Sequence, residues 1–375
     1  MGGYDGQTMV GATMTSTHGT GYTLPPFPDS VKSMVLCTTS PWTKGPVIGG
    51  GSGQGKHGDV YVYRVESASN PVCDPAKYGD SKIGLIQDDD AFYSAICNMG
   101  CFGVIYSFTV EVMQQYWLEE TRKLTTLKDV MDQLKADTSK PEHVPALLAD
   151  NRHVEFMVHP YPMDENGKLM EIDPSKPVSF YYPYYHVILE KWNIVPKGTP
   201  SEGHRNWISG FLGKFRLSFD ATTTIFYNCP SLTPTLITTS LKSLEDKDHV
   251  NVSHKIFVNG MSEYAGFANE IAYQTEDSSG NYTEAHFEAA INRIHLLAQS
   301  NRINGDQYQT SPFSVRFVRK SNALLSMQHG VNTCMIELDL ASGTFAGTEI
   351  LERYQLGEYQ HGGIPHWGLE FDLLT

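Results

Sequence analysis

Hydrophobic and polar positions along this chain fall into two periods. "DVYVYRVE" (59–66) and "RHVEFMVHPY" (152–161) alternate residue by residue and predict strands. The β-branched and aromatic runs "KSMVLCTT" (32–39), "FSVRFVR" (313–319) and "NTCMIELDL" (332–340) predict further strands. "GCFGVIYSFTVEVMQQYWL" (100–118) reads as one long strand opened by glycines. Helical spacing appears in "TTLKDVMDQLKAD" (125–137), through Leu127, Val130, Met131 and Leu134. It is clearest in "TEAHFEAAINRIHLLAQS" (283–300), where Phe287, Ala290, Ile291, Ile294 and Leu297 form one apolar stripe. Asp88, Asp89 and Asp90 precede "AFYSAICNMG" and predict a capped helix start, with Cys97 and Cys101 on one face of that helix.

This order of elements predicts an α+β fold in which helices pack on one face of a large, mostly antiparallel sheet. No internal repeat is visible. From Gly2 to about Asp59 the chain is rich in Gly, Pro, Ser and Thr around short strands, and the character changes after the strand of 100–118, so we expect one domain over 1–117 and a second over 118–375.

Composition narrows the partners. With 28 Lys and Arg against 42 Asp and Glu, the formal charge of −14 argues against a nucleic-acid backbone or an anionic membrane surface. No window approaches the roughly 18 uninterrupted apolar residues of a membrane span. The N-terminal residues lack the basic and apolar regions of a signal peptide, which makes the cytosol the default expectation. Six cysteines in 375 residues are too sparse for a disulfide scaffold, and no Cys/His spacing suggests a metal site. His153 and His159 fall on one strand face and are expected to be solvated or hydrogen-bonded.

Two glycine-rich stretches are candidates for cradling phosphate. "GGGSGQGKH" (49–57) mimics a P-loop, but His57 stands where Ser or Thr would hold magnesium, and a strand follows where a helix is needed. A plain glycine loop is the better reading. "GATMTSTHGTG" (11–21) offers bare amides and hydroxyls that would suit a pyrophosphate without adding charge. The same residues also make an ordinary turn.

"YDGQTMVGATMTSTHGTG…LPPFPDSVKSMVL" resembles the second half of the FAD-binding domain of vanillyl-alcohol-oxidase type flavoproteins, and "DDDAFYSAICNMGCFGVIYSFTVEV" resembles the later Gly-x-x-Gly-Val-Ile element of the same domain. "PFSVRFVRKSNALLSMQHG" and "GGIPHWG" are similar to the substrate-domain signatures of the sugar-lactone and alditol oxidase branch. The matches occur in family order. The resemblance implies FAD as cofactor, contacted by Gly11, Thr15, Ser16, Thr17, His18, Gly19, Gly100, Gly103 and Ile105. It implies a pocket holding Arg316, His366 and Ser314, in which an alcohol or lactone gives a hydride to the flavin and oxygen or another acceptor takes the electrons. A Tyr-rich "FYYPYYHV" (180–187) either walls that pocket or belongs to the core.

Three departures accompany the resemblance. Ser314 stands where the branch carries a glutamate two residues before its arginine, and Leu369 stands where it carries a lysine after "HWG". The "R-x-G-G-H-S" loop of the family's first FAD subdomain is not found here. The expectations are therefore a flavin oxidoreductase or a fragment of one, a flavin-free binding or scaffold subunit completed by another chain, or a non-redox enzyme reusing the pocket. His18 matches the pyrophosphate turn and is expected to bind cofactor rather than anchor it covalently. An exposed hydrophobic sheet edge is also expected, with association of the chain as its consequence.

Overall fold

The computed structural model describes residues 6–50, 55–79, 81–201, 219–257 and 266–371. Its strands are β1 (Val31–Thr38), β2 (Ile48–Gly49), β3 (Lys56–His57), β4 (Val60–Glu66), β5 (Gly84–Gln87), β6 (Val104–Val110), β7 (Trp117–Thr126), β8 (His153–Val158), β9 (His186–Val195), β10 (Asp246–Val252), β11 (Gly266–Gln274), β12 (Phe313–Val318), β13 (Thr333–Ala341) and β14 (Ile364–Pro365). The helices are α1 (Met9–Met14), α2 (Asp89–Ala95), α3 (Leu127–Gln133), α4 (Ala146–Ala149), α5 (Phe219–Asn228), α6 (Thr233–Leu244), α7 (Ser253–Phe257), α8 (Ala285–Gly305) and α9 (Gly347–Tyr359).

Two sheets result. The first runs β2-β5-β4-β1-β6 with β3 on β4; β4 and β5 are parallel. The second is wholly antiparallel, in the order β10-β7-β9-β8-β12-β13-β11-β14. The fold class is α+β, as the periodicity predicts. The stretch 100–118 is not one strand. It is divided between β6 in the first sheet and β7 in the second, with Glu111–Tyr116 crossing between them. Alternation fails in that segment at the polar pair Gln114 and Gln115, which is where the chain changes sheets.

Period two in the second sheet separates two environments. Phe313, Val315 and Phe317 of β12, Ile336 and Leu338 of β13, Val154 and Phe156 of β8, and Val187 and Leu189 of β9 face the main core. There they meet α3, through Leu127, Val130 and Met131, and the predicted stripe of α8. Tyr181, Tyr182 and Tyr185 of the Tyr-rich segment join this core, while Phe180 and Tyr184 are exposed. On the opposite face Ile188 and Met335 are buried as well, and so are the acids Glu190 and Glu270. Helix α6 packs Ile237 and Leu241 over Ile188 at one end, so helices flank both faces where the sequence predicts one.

Further expectations are corrected. Helix α2 is capped by Asp88, whose side chain accepts from Ala91 N at 2.8 Å, but it ends at Ala95. Asn98, Met99 and Gly100 then turn the chain, leaving Cys97 buried and Cys101 exposed on no common face. His153 and His159, by contrast, meet the expectation of hydrogen bonding, and both are buried: His153 Nδ1 lies 2.5 Å from Thr20 O, and His159 Nε2 lies 3.0 Å from Pro234 O. In the P-loop mimic, residues 51–54 lie outside the described residues, and Lys56 and His57 form β3 with no helix following, as the sequence reading expects.

Residues 14–24 link the two sheets. Gly21 bridges Val318 and donates to Phe317 O at 2.6 Å. A side chain at Gly21, whose φ is +147°, would meet Arg152 O at 2.7 Å, so glycine is required where this segment crosses the sheet. The expected exposed edge is present too. Among the described residues strand β6 pairs only with β1, and Val104 and Tyr106 are 71% and 79% exposed.

Candidate active site

The predicted phosphate-binding stretch begins as a helix and not as a loop. Thr8 Oγ1 caps α1 by accepting from Gly11 N at 3.1 Å, and the chain then turns through Ser16, a non-glycine residue with a φ of 56°. The two turns that the resemblance implies meet here, since Met99 N donates to Met14 O at 3.2 Å. Thr15 and Thr17 are half-buried, with hydroxyls 3.4 Å apart, and Gly11 and Gly100 are exposed. A Cβ at Gly100 would meet nothing within 4 Å. Gly103 differs. Its Cβ would lie 2.2 Å from Cys37 O, so this glycine lets β6 approach β1. Ile105 packs partly into the core of the first sheet.

Ser16 and His18 turn away from their hydroxyl neighbours. Ser16 Oγ lies 2.8 Å from Ser326 Oγ and 3.3 Å from Gln328 Oε1. His18 enters the face of the second sheet opposite the main core, where Nδ1 lies 2.8 Å from Gly19 O and Nε2 lies 3.2 Å from Glu270 Oε2. The His366 ring is 5.5 Å from the His18 ring. Its position follows from β14, because His366 N donates to Glu270 O at 2.8 Å.

Strand register fills the rest of this face. Glu190, Glu155 and Arg316 lie side by side on β9, β8 and β12. Ser314, Glu337 and Glu270 form the adjacent row on β12, β13 and β11. Arg316 is the hub. Its Nη2 donates to Ser314 Oγ at 3.1 Å and contacts Glu337 Oε2, Nη1 lies 3.7 Å from Glu270 Oε1, and Nε lies 3.4 Å from Glu155 Oε1. Farther along, Arg122 lies between Glu120 and Glu190.

Burial sets these groups apart. It would raise the Glu270 carboxyl, but His18 and then Arg316 outweigh it and hold that carboxyl well below the usual range. Burial pushes His366 down to about 4, against the pull of Glu270, and keeps its imidazole neutral at neutral pH. Burial raises Asp339 to about 6 and Glu190 to about 8, and it raises Glu155 as well. Glu270 Oε1 and Arg316 Nε are buried without a hydrogen-bond partner among the described residues. Ligand atoms of His18, Glu270 and His366 lie within 4.8 Å of one another. His366 Nδ1 already accepts from Gly368 N at 3.0 Å, and the Arg316 guanidinium supplies the cation beside Glu270, so the set reads as a charge network and not an ion cage.

The structure thus brings together Arg316, Ser314, His366 and His18, while Thr15, Thr17 and Gly100 lie at the neighbouring turns. Sequence reading missed Glu270, Glu337, Glu155, Asp339 and Glu190. Their signal is an acid set among apolar residues inside a strand, once in "ANEIAY" and twice in "MIELDL", which marks a sheet face that is neither core nor solvent.

The profile of the family described as D-arabinono-1,4-lactone oxidase matches residues 108–375. This chain belongs to that family. Among curated relatives of this lactone oxidase family member, L-gulonolactone oxidase of Bos taurus is 22% identical over 348 residues, which are 88% of this chain and 65% of the relative. L-gulonolactone oxidase of Mus musculus is 31% identical over 281 residues, 74% of this chain and 53% of the relative. The chain therefore spans between about half and two thirds of the curated relatives it matches. Cholesterol oxidase from B. sterolicum shares the fold, with a TM-score of 0.57 at 11% identity over 96% of this chain and 64% of that one. A solvent-stable cholesterol oxidase gives 0.58 at 10% identity, again over 96% and 64%.

Proposed function

We propose that this member of the lactone oxidase family takes part in FAD-dependent oxidation of a hydroxyl-bearing carbon in a sugar lactone, polyol or other alcohol. The observation that carries this reading is the half-buried guanidinium of Arg316 beside neutral His366 and anionic Glu270 on one face of the second sheet. A buried charge network costs stability in a flavin-free scaffold, and a reaction that develops charge gives it a purpose.

The turns suit one wall of a pyrophosphate site. Thr15 and Thr17 offer hydroxyls, Gly100 offers backbone at an open position, and none of them brings charge. Bound FAD supplies the hydride acceptor, and oxygen is the acceptor we propose for the two electrons. His366 carries its ring proton on Nε2, because Nδ1 accepts from Gly368, and so it can donate to the substrate hydroxyl oxygen. Arg316 stabilises negative charge growing on that oxygen. As the carbon loses its hydride, the hydroxyl loses a proton. Asp339 and Glu155, both pushed up by burial, are better matched to take it near neutral pH than Glu270, whose carboxyl is held low.

The test is the visible spectrum of the purified chain after incubation with FAD, followed under nitrogen as sugar lactones and polyols are added. Flavin bands that bleach with one of these substrates are expected. A chain that takes up no FAD, or whose bound flavin is bleached by none of them, overturns the reading.

A further inference from the structure

Arg316 is held on four sides, but not equally. Glu155 and Glu270 stand 3.4 and 3.7 Å away, whereas Nη2 is gripped by Ser314 Oγ, at 3.1 Å, and by the Glu337 carboxylate. Ser314 and Glu337 are direct cross-strand partners on β12 and β13. Side chains at such positions occupy nearly the same space, with Cβ atoms about 5 Å apart, and two like charges placed there repel. Glu337 also stands opposite Glu270 on β11, and Arg316 is the cation within reach of both carboxylates. Ser314 keeps a further carboxylate out of that row.

The geometry points to Glu337 as the residue that positions Arg316 for the reaction, supplying from β13 the carboxylate that β12 lacks at Ser314. The guanidinium and the Glu337 side chain are 20% and 15% exposed, so the pair is not sealed in the core. A carboxylate clamp of this kind fixes the plane of the guanidinium and removes the rotamers in which Arg316 would swing toward Glu155 or Glu270. The inference rests on the oxidoreductase reading for its consequence, though the clamp itself can be measured without cofactor.

Three variants test it: Glu337→Gln, the swap Ser314→Glu with Glu337→Ser, and Glu337→Asp. In the cofactor-free chain, hydrogen exchange of the Arg316 guanidinium protons is followed by nitrogen-15 NMR, with Arg316→Lys giving the assignment. Glu337→Gln should speed that exchange at least several-fold, and the swap should restore it. In the FAD-loaded protein, Glu337→Gln should lower kcat by up to about a hundred-fold, the scale of a misplaced catalytic group, with a smaller change in KM, and the swap should recover most of the loss. If the swap does not fold, Glu337→Asp decides by keeping more exchange protection than Glu337→Gln. Unchanged exchange in Glu337→Gln overturns the inference, as does a folded swap that restores neither quantity. If the wild type oxidises nothing, the proposed function fails while the exchange result still decides whether the clamp exists.

Discussion

His18 Nε2 lies 3.2 Å from Glu270 Oε2, which joins a residue of the glycine-rich turn to a strand 252 positions later. Both side chains are almost completely buried. Removing His18 leaves the buried Glu270 carboxylate with Arg316, 3.7 Å away, as its remaining cation, so His18→Ala should destabilise the chain by roughly 1–3 kcal/mol, seen as a lower urea midpoint. Glu270→Gln in the same background should cost much less than it does alone. The Glu270 carboxyl is lower in the folded chain than in the unfolded one, so its contribution is present above about pH 4.3 and is lost as pH falls below that. His18→Ala should flatten this acid limb. An unchanged limb would show that the pair is not the source of the shift.

Stability should peak near pH 6.5. Burial holds His153 and His366 at about 4, and His159 and His295 at about 3, all below their ordinary value of 6.5. Between those limits the unfolded chain binds more protons, so stability rises with pH by up to ~1.4 kcal/mol per unit for each histidine. Glu190 works the other way. Its folded value of about 8 lies above the ordinary 4.5, so its contribution is full at low pH and disappears as pH rises to 8. Thermal melts across pH 4–9 should show the maximum, and Glu190→Gln should remove the decline above pH 6.5.

Arg316→Ala should reduce turnover of the FAD-loaded chain by about 10²–10³-fold, the usual cost of removing a preorganised donor of transition-state charge stabilisation. The measurement is the rate of anaerobic flavin bleaching at saturating substrate. A drop in affinity alone, with the bleaching rate intact, would assign Arg316 to binding.

Gly103 separates a backbone role from a cofactor role. Its Cβ would strike Cys37 O, so Gly103→Ala should cost about 3 kcal/mol in the cofactor-free chain. Equal melting temperatures for variant and parent would return this glycine to the cofactor.

The outer edge of β6 should promote association. It has no strand partner among the described residues, and it exposes Val104 and Tyr106. Sedimentation should detect a concentration-dependent increase in mass, which Val104→Lys with Tyr106→Lys should reduce.

Much of the architecture was legible from periodicity, because one face of the eight-stranded sheet packs on the main core and sets every second residue of β8 and β12 against it. The helix of 285–305 and the strands of 313–318 and 333–341 follow the predicted patterns closely. Boundaries were harder. Residues 100–118 are β-rich throughout, and the transfer from one sheet to the other depends on a pairing with β1 and another with β9 that local sequence does not encode. Arg316, Ser314 and His366 could be named from motifs. Glu270, Glu337 and Glu155 could not, since each acid lies in a different strand and they become neighbours only through register. The direction taken by His18 was hidden for the same reason, because its partner is set by the path of residues 14–24 across the sheet.

The two-faced strands also determine which genetic changes this protein can tolerate. Losing or gaining one residue within β12 would turn Arg316 toward Phe156 and Phe287 and bring Phe317 out among the carboxylates. Length variation should therefore accumulate between the strands and be purged within them. A natural variant with an odd insertion in 313–318 should be a folding failure before it is a catalytic one.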